Sequence, residues 1–431
     1  MNPGQELPDV RVAPPGPRSR EMGARLAELE SPAVVARRDA RARESGSEQA
    51  PIVYAEACGA NVIDVDGNRY VDLAAGFGAL LLGHCAPEVQ RAVATQGEKL
   101  GLALGDVYGS DAKLSLCELL VRLHPAAGAR VMLGTSGADA VTAALKSAVL
   151  ATGRAGVVAF EGGYHGLSHG PLAACGLRSS FREPFAEQLN PHVSFVPYGD
   201  AAAAETALRS GNIGCVLVEP VLGRGGCVVP PASFLPALRR ACDAHGALLV
   251  CDEIWTGLGR SGAWLASIDA GVVPDVVCLG KGLGGGMPIS ACIGSERAMH
   301  GWAEHGGTTI HTATHFGAPL ACAAALATLR ELESGKLVER SRDVGDRWFG
   351  VLRSLTSERG VVAVRGRGLM LGVELEGGAA RALSVARRLL GRGWIVLTGG
   401  VAGDVLTLTP PLNVDEALLV AFAEALRDSL S

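Results

Sequence analysis

The sequence predicts a large α/β domain of the doubly wound type, with a mostly parallel sheet, together with a small α+β domain. Three observations favour this fold class. Runs of four to six apolar residues recur with little alternation, which is typical of strands buried on both faces. Segments with apolar residues at helical spacing separate these runs, as in βαβ units. After about residue 330 the pattern changes to long helices and a few strands.

The N-terminal part of the chain contains two recognisable features. The first 50 residues are rich in Pro, Arg, Glu and Ala, and we expect a tail with one helix over roughly residues 18–30. The stretch ANVIDVDGNRYVDLA then predicts two alternating strands joined at Asp66-Gly67-Asn68. The predicted segments are 1–50 for the N-terminal tail or arm, 51–84 for the first part of the small domain, 85–330 for the large domain and 331–431 for the C-terminal small domain.

The predicted strands can be read directly from the apolar runs. Those of the large domain lie in ARVMLGTSG, AGVVAFEG, IGCVLVEP, GALLVCDE, PDVVCLGKG and ISACIGS. The segment PASFLPALRRACDAHG between two of them is a predicted helix that ends at Gly246, a residue type favoured just after a helix. The small domain contributes GLMLGVEL, GWIVLT and DVLTLTPP.

Composition excludes several classes of protein. With 48% hydrophobic and 19% charged residues the chain is core-rich, and a net charge of −5 does not favour nucleic-acid binding. The eleven cysteines include no C-x-x-C pair, so we expect buried thiols and no metal site. The N-terminal residues lack the apolar run of a signal peptide, and no apolar run has membrane-spanning length. We therefore expect a cytoplasmic protein.

Polar residues follow the predicted strands at the points where ligands bind in open α/β sheets. Asp252 follows GALLVC, Glu219 follows CVLV, and Lys281 follows VVCLG. The turn GTSGADA leads into a helix, whose free N–H groups and positive dipole end favour a phosphate, although many capped helices begin in this way. A lysine at the end of a buried strand is either solvated or chemically active, because a buried ammonium is costly.

Asp252 and Lys281 together suit a site for pyridoxal 5′-phosphate (PLP). A lysine can form a Schiff base with PLP, while a carboxylate keeps the pyridine nitrogen protonated and so makes the ring an electron sink. Ile254 lies on the same face as Asp252, two residues later, and can pack on the ring. The lysine amine, once displaced by a substrate, can move a proton.

The sequence resembles the class III aminotransferases of PLP fold type I, which include ornithine, 4-aminobutyrate and other ω-amino aminotransferases. The similar stretches are NVIDVDGNRYVDL, GTSGADAVTAALKSA, FEGGYHG, VEPVLGRGGCVVPP, LLVCDEIWTGLGRSG, PDVVCLGKGLGGGMPISACIG, THFGAPLACAAALA, GRGLMLGVEL and LTPPL. The D-E-x-x-T-G-x-G-R-x-G block followed by G-K-G is the most specific of them. The resemblance implies an enzyme that moves an amino group between an amino acid or ω-amine and a keto acid or aldehyde by a ping-pong mechanism.

The resemblance also implies roles for the catalytic residues and for those around the ring. Lys281 forms the Schiff base, and Asp252 pairs with the pyridine nitrogen. Tyr164 stacks on one ring face, with Ile254 opposite. Glu219 lines the site and helps to position Asp252 or the ring hydroxyl of the cofactor.

Phosphate binding is assigned by the same resemblance. Gly137 and Ala138 give backbone donors, with Ser136 beside them. Thr314 matches the threonine that similar enzymes send to the phosphate of the neighbouring subunit, which implies a homodimer with a shared active site.

Three positions concern the substrate. Ornithine-type relatives have an arginine where Thr407 stands, and a threonine cannot bind an α-carboxylate with a bidentate charged group. Arg224 is a candidate replacement cation, although a loop arginine is more often solvated. Trp255 either forms a wall of the substrate pocket or packs in the core.

Alternatives to transamination remain at this stage. The same scaffold supports PLP-dependent isomerases, such as glutamate-1-semialdehyde aminomutase or an amino-acid racemase, because proton abstraction is the shared step. A non-catalytic PLP-binding regulator is disfavoured because both Lys281 and Asp252 are present. A nicotinamide dehydrogenase would need an acidic residue at the end of the strand after the glycine-rich loop, and none stands there.

Overall fold

The computed structural model describes residues 4–304, 306–357 and 360–430 of the chain. The N-terminal region begins with two helices and three strands. Their bounds are Pro17–Leu29 (α1), Pro32–Ser45 (α2), Tyr54–Cys58 (β1), Asn61–Asp64 (β2) and Arg69–Asp72 (β3). The predicted hairpin is confirmed, because β2 and β3 pair in antiparallel register around the Asp-Gly-Asn turn.

The N-terminal tail has more structure than the sequence predicted. The expected helix corresponds to α1, but α2 was missed, because none of its residues is buried and its sequence has no apolar stripe. Residues before α1 lie on the first sheet of the same chain: the Ala60 N–H donates to the Gly4 carbonyl at 2.7 Å, and Asp9 forms a bridge with Arg69.

The middle of the chain forms the large sheet and the helices that cover it. The strands are Arg130–Gly134 (β4), Gly156–Phe160 (β5), Val193–Val196 (β6), Ile213–Val218 (β7), Leu248–Asp252 (β8), Val276–Leu279 (β9) and Ser290–Gly294 (β10). The helices are Ala75–Gly78 (α3), Pro87–Lys99 (α4), Asp111–Leu123 (α5), Gly137–Thr152 (α6), His169–Ala173 (α7), Ala201–Leu208 (α8), Phe234–His245 (α9), Ala266–Asp269 (α10), Glu296–Met299 (α11) and Pro319–Ser334 (α12).

The seven strands of the large sheet lie in the order β4-β10-β9-β8-β7-β5-β6. All are parallel except β10, which runs antiparallel to both of its neighbours. Alternate side chains of β7 point to opposite faces: Leu217 packs in the core that contains α6, and Val216 packs in the core that contains α8 and α9. The predicted doubly wound, mostly parallel sheet is thus confirmed, with helices on both faces.

The remainder of the chain forms three helices and a third sheet. The elements are Leu337–Ser354 (α13), Val361–Arg367 (β11), Met370–Leu375 (β12), Gly378–Gly391 (α14), Trp394–Ile395 (β13), Leu397–Gly399 (β14), Val405–Leu408 (β15) and Glu416–Leu430 (α15). Short 3-10 helices cover Ser179–Phe181, Glu183–Gln188, Lys281–Gly284, His300–Glu304 and Leu355–Ser357. The third sheet has the order β11-β12-β15-β14.

The N-terminal and C-terminal parts of the chain share a sheet. Strand β13 adds to the sheet of β1, β2 and β3 by pairing in parallel with β3. The domain boundaries themselves stay a prediction, but this pairing agrees with a small domain built from both ends of the chain.

The large sheet region is joined to the C-terminal region by a buried arginine. Arg260 follows β8, has no exposed surface, and donates to the carbonyls of Leu369 and Pro410. Burial lowers the pKa of Arg260 to about 9. Among the residues that the structure describes, no helix is long and apolar enough to cross a membrane. The eleven cysteines are free thiols, and most of them are buried.

Candidate active site

The polar residues singled out in the sequence meet at one edge of the large sheet. Asp252 is the last residue of β8, and Lys281 follows β9, which is the next strand in the sheet. Glu219 follows β7 on the other side of β8, and Tyr164 lies four residues beyond the end of β5. Because these strands are parallel, their carboxyl ends lie at the same edge, as predicted.

Asp252 is a buried carboxylate held by two donors. Its Oδ2 lies 2.7 Å from Nδ1 of His165, and its Oδ1 accepts the N–H of Ile254 at 3.1 Å. Burial opposes a charge on His165, but the hydrogen bond and the charge of Asp252 outweigh it, and the pKa of His165 is raised above its usual value. Asp252 is therefore fixed in orientation.

Lys281 begins a 3-10 turn that Gly280 separates from β9, and it has a left-handed φ of 35°. Its Nζ lies 4.5 Å from the centroid of the Trp255 ring. Burial lowers the pKa of the Lys281 amine, and the charges of Asp252 and Glu219 only partly offset this effect. A lower pKa leaves a larger fraction of the amine uncharged, which is the form that acts as a nucleophile or a base.

Glu219 holds the residues on the other side of the site. Its carboxylate accepts the N–H of Tyr164 at 2.8 Å and the N–H of Gly223 at 2.9 Å. Burial and the nearby charge of Asp252 raise the pKa of Glu219, although His165 acts in the opposite direction. Within the described residues Glu219 forms no hydrogen bond to Asp252. Its hydrogen bonds instead hold the backbone at Tyr164 and in the loop after β7.

The first turn of α6 presents backbone rather than side chains to the site. Ser136 caps the helix, and its Oγ accepts the N–H of Asp139 at 3.2 Å. The Asp139 carboxylate in turn binds the N–H of Thr135 and that of Ser136. These bonds hold the pKa of Asp139 below its usual value despite burial. The Asp139 carboxylate therefore binds residues that precede the helix. The N–H groups of Gly137 and Ala138, in the first turn, have no acceptor within the helix.

Gly137 lies against the residue predicted to support the ring. A Cβ atom on Gly137 would stand 2.8 Å from Cδ1 of Ile254, and one on Gly280 would stand 3.4 Å from Cγ2 of Ile254 and from the Gly137 Cα. The helix start, Ile254 and the residue before Lys281 are therefore in direct contact, and the two glycines allow this close approach.

The other predicted positions differ in their surroundings. Trp255 packs in a buried cluster with Val221, Cys227 and Met370, and its ring also lies beside the Lys281 amine, while its role as a wall of the substrate pocket stays a prediction. Thr407 is buried on β15. Thr314 is exposed. A Cβ on Gly105 would lie 4.0 Å from its carbonyl oxygen, so this threonine sits at the surface near residue 105 of its own chain.

The sequence did not predict the partners of the central acids. His165 follows Tyr164 in the sequence, but nothing in the sequence joins it to Asp252, 87 positions away. The capping box formed by Ser136 and Asp139 does have a sequence signal, a Ser followed three residues later by an acid, but it was missed.

Comparison with known proteins agrees with this geometry. Residues 42–430 match the family described as Aminotransferase class-III. The chain belongs to this family. It is 35% identical to the acetylornithine aminotransferase of Methanosarcina acetivorans, covering 88% of this chain and 92% of that protein, and 41% identical to that of Methanopyrus kandleri, covering 88% and 95%.

Solved structures give the same assignment for this class III aminotransferase. The ornithine aminotransferase of Toxoplasma gondii superposes with a TM-score of 0.82 at 31% identity, covering 88% of this chain and 90% of that one. An amine transaminase from an uncultivated Pseudomonas species, in its PLP-bound form, superposes with a TM-score of 0.79 at 29% identity, covering 88% and 94%. The chain is a PLP-dependent aminotransferase, and these findings do not support the isomerase alternative.

The residues present fit PLP. A half-buried lysine with a lowered pKa, an oriented buried carboxylate, and a helix that starts at a glycine meet at one sheet edge. This set supplies an amine for the aldehyde, an acid for the ring nitrogen and N–H donors for the phosphate.

Proposed function

We propose that Lys281 is the residue that binds PLP covalently and moves the substrate proton, and that Asp252 holds the proton on the ring nitrogen. The observation that supports this most directly is the position of the two residues at the ends of the adjacent strands β9 and β8, with Asp252 close enough to act on the amine through its charge. Bound PLP supplies a ring that takes up the electron pair of a broken C–H bond.

Each of the surrounding residues has a proposed part. Asp252, oriented by His165, offers its free lone pairs to the ring nitrogen, where an opposite charge favours the protonated form. Lys281, once released by an incoming amine, would be the base that takes the proton from the substrate carbon and the acid that later gives it up. Its lowered pKa enlarges the uncharged fraction of the amine, which is the form that acts as a base. Tyr164 and Ile254 would cover the two faces of the ring.

The phosphate is proposed to lie at the start of α6. The N–H groups of Gly137 and Ala138 donate to it, with Ser136 beside them, and the helix dipole favours its charge. Glu219 acts indirectly, by holding the backbone of Tyr164. Thr314 is proposed to reach the phosphate of a second copy, since it is exposed on its own chain.

The proposed reaction has two halves. An amino acid or ω-amine gives its amino group to the enzyme, and a keto acid such as pyruvate or 2-oxoglutarate, or an aldehyde, receives it. The similarity to acetylornithine and ornithine aminotransferases supports this substrate range. We also propose a cytoplasmic homodimer, which is supported by a cluster of exposed apolar residues next to the Thr314 segment, namely Leu102, Leu104, Val107 and Tyr108.

Labelling of Lys281 tests the central assignment. Borohydride reduction of the wild-type enzyme is expected to fix PLP on the peptide that contains Lys281. The Lys281→Ala variant is expected to bind PLP without a covalent bond, to resist labelling, and to lose amino transfer by at least about 10³-fold, since it lacks the amine that binds and moves the proton. Mass spectrometry of the digest and the loss of the yellow colour on adding amines are the measurements.

The control is Lys99→Ala, because Lys99 is an exposed lysine paired with Asp111. It is expected to label and react as the wild type does. A label on any other lysine, or normal transfer by Lys281→Ala, would contradict the assignment.

A further inference from the structure

Arg224 occupies a position at the active site that the reaction steps described above do not use. It lies in the loop after β7, between Gly223 and Gly225, and is half-buried. Its guanidinium carbon lies 4.6 Å from the centroid of the Tyr164 ring. The backbone of the loop is held at both sides, because the Gly223 N–H donates to Glu219 and the Arg224 carbonyl accepts the Gly400 N–H at 2.9 Å. The guanidinium is therefore attached to a fixed support.

The charge of Arg224 is not neutralised by the protein. Within the described ranges no carboxylate forms an ion pair with it, and Glu219, five residues earlier, already accepts one backbone N–H on each carboxylate oxygen. The charge of Arg224 also contributes to lowering the pKa of the Lys281 amine, after the larger effect of burial, so the guanidinium lies within electrostatic range of the reacting group. An unpaired guanidinium in a half-buried site is a strong binding group for an anion.

Two side chains next to this loop, Thr407 and Arg365, do not compete with Arg224 for an anion. Thr407 is buried next to Gly399. A Cβ atom added to Gly399 would stand 2.7 Å from Oγ1 of Thr407 and 3.4 Å from the carbonyl oxygen of Arg224. Arg365 lies beside the same loop and donates to the Gly226 carbonyl, but it is paired with Glu374 at 2.9 Å. Thr407 carries no charge, and the charge of Arg365 is paired with Glu374. Of these three residues, only Arg224 has an unpaired charge that can bind an anion.

We propose that Arg224 binds a carboxylate of the substrate across the face of Tyr164, so that the enzyme acts on carboxylate-bearing amines and oxo acids in preference to simple amines. The inference rests on the proposed function, because it takes the amine of Lys281 as the reacting group. In this enzyme the substrate carboxylate is recognised from the loop after β7 and not from β15.

Binding of an unreactive dicarboxylate tests the proposal without catalysis. Glutarate and its neutral analogue glutaramide are titrated into the PLP-loaded wild type, Arg224→Gln, Arg224→Lys and the matched control Arg365→Gln by calorimetry. Arg224→Gln is expected to weaken glutarate binding by at least about tenfold, which is the loss of one charge-assisted pair. Arg224→Lys is expected to weaken it less, and Arg365→Gln not at all. Glutaramide is expected to bind all four proteins equally weakly.

Kinetics supply a second readout. For Arg224→Gln the half-reaction with 4-aminobutyrate is expected to slow by at least about tenfold relative to that with propylamine, which lacks the carboxylate. An equal slowing with both amines would mean that Arg224 only supports Tyr164, and it would overturn the proposal. So would undetectable glutarate binding by the wild type, or unchanged binding by Arg224→Gln.

Failure of this proposal and failure of the proposed function give different results. Arg224→Gln keeps Lys281, so borohydride is expected to label it as in the wild type whatever happens to glutarate. Loss of labelling at Lys281 in the wild type would instead contradict the assignment of the reacting amine. The glutarate comparison would still show whether Arg224 binds a carboxylate.

Discussion

At the scale of single residues, the buried contact between His165 and Asp252 fixes the orientation of the acid at the centre of the site. Both side chains are almost completely shielded from solvent, and they are joined by a 2.7 Å contact. A buried carboxylate without a partner would tend to take up a proton and lose its charge. The contact with His165 fixes the direction of the Asp252 carboxylate, which is the orientation needed to face a protonated ring nitrogen.

The raised pKa of His165 predicts a pH dependence of stability. A histidine whose pKa is higher in the folded state contributes stability that is full below the unfolded value, about pH 6.5, and that is lost as the pH rises through the folded value. His165→Gln removes the titrating group. The free energy of unfolding of the wild type, relative to this variant, is expected to fall with rising pH in that window, by at most about 1.4 kcal/mol per pH unit. Urea unfolding from pH 5.5 to 9 measures it.

The exposed residue His192 provides the matched control. His192→Gln is expected to reproduce the wild-type profile. Parallel profiles for the wild type and His165→Gln would show that the histidine does not gain a proton on folding.

The sequence predicted the central residues of the site better than their partners. Lys281 and Asp252 could be predicted because each directly follows a buried apolar run, and the ends of parallel strands meet at one edge. His165 could not be assigned to Asp252, because the contact joins the loop after β5 to the end of β8 and no local sequence pattern encodes it. The contact of Arg224 with Tyr164 also depends on how two loops fold toward each other.

At the scale of elements, the start of α6 combines helix capping with a binding surface. Ser136 and Asp139 satisfy the N–H groups at the outer side of the turn, whereas Gly137 allows the turn to touch Ile254. A residue with a side chain at position 137 would have to displace that isoleucine.

Replacement of Gly137 is therefore expected to affect the cofactor and not the fold. Gly137→Ala would place its Cβ 2.8 Å from Ile254 and push this side chain toward the ring position, so the dissociation constant of PLP is expected to rise about tenfold. Alanine is a better helix former than glycine by up to about 1 kcal/mol, so the thermal stability of the PLP-free protein is expected to be maintained. Fluorescence titration with PLP and thermal melts separate the two effects.

The control for this variant is Gly350→Ala in α13, where a Cβ would meet no atom within 4 Å. It is expected to raise stability slightly and to leave PLP binding unchanged. If Gly137→Ala binds PLP as tightly as the wild type, the start of α6 is not adjacent to the cofactor.

The elements that were predicted and those that were missed differ in burial. Strands β5, β7, β8, β9 and β10 are buried along their whole length, and their continuous apolar runs identified them. Strand β6 lies at the sheet edge, is only partly buried, and has its apolar residues interrupted by Ser194. In β11, at an edge of the third sheet, the short apolar run is followed by arginine and glycine, and most of the strand is only partly buried. Helix α2 has no buried residue at all.

At the scale of the whole molecule, an apolar cluster lies exposed on the surface. Leu104 is 63% exposed and Tyr108 is 68% exposed, and Leu102 and Val107 lie between or beside them. Grouped apolar side chains of this kind mark an interaction site. Their proximity to the segment of Thr314 supports the proposed homodimer.

A charge in this cluster is expected to dissociate the dimer. Leu104→Asp places a carboxylate where the proposed interface would exclude water, so the dimer dissociation constant is expected to rise at least about 100-fold. Sedimentation velocity over a range of concentrations measures the change. Val420→Asp is the control, because Val420 is 53% exposed on α15, and it is expected to leave association unchanged. A monomeric wild type, or an unaltered dimer in Leu104→Asp, would exclude this interface.

The pairing of β13 with β3 has a consequence for the order of events during synthesis. Val71 leaves the ribosome early, but the strand that completes its sheet ends at Ile395, close to the other end of the chain. The N-terminal hairpin therefore stays unfinished, with an open edge, until almost the entire polypeptide has been made. Such late pairing of distant segments slows folding and prolongs the interval in which newly made chains can aggregate.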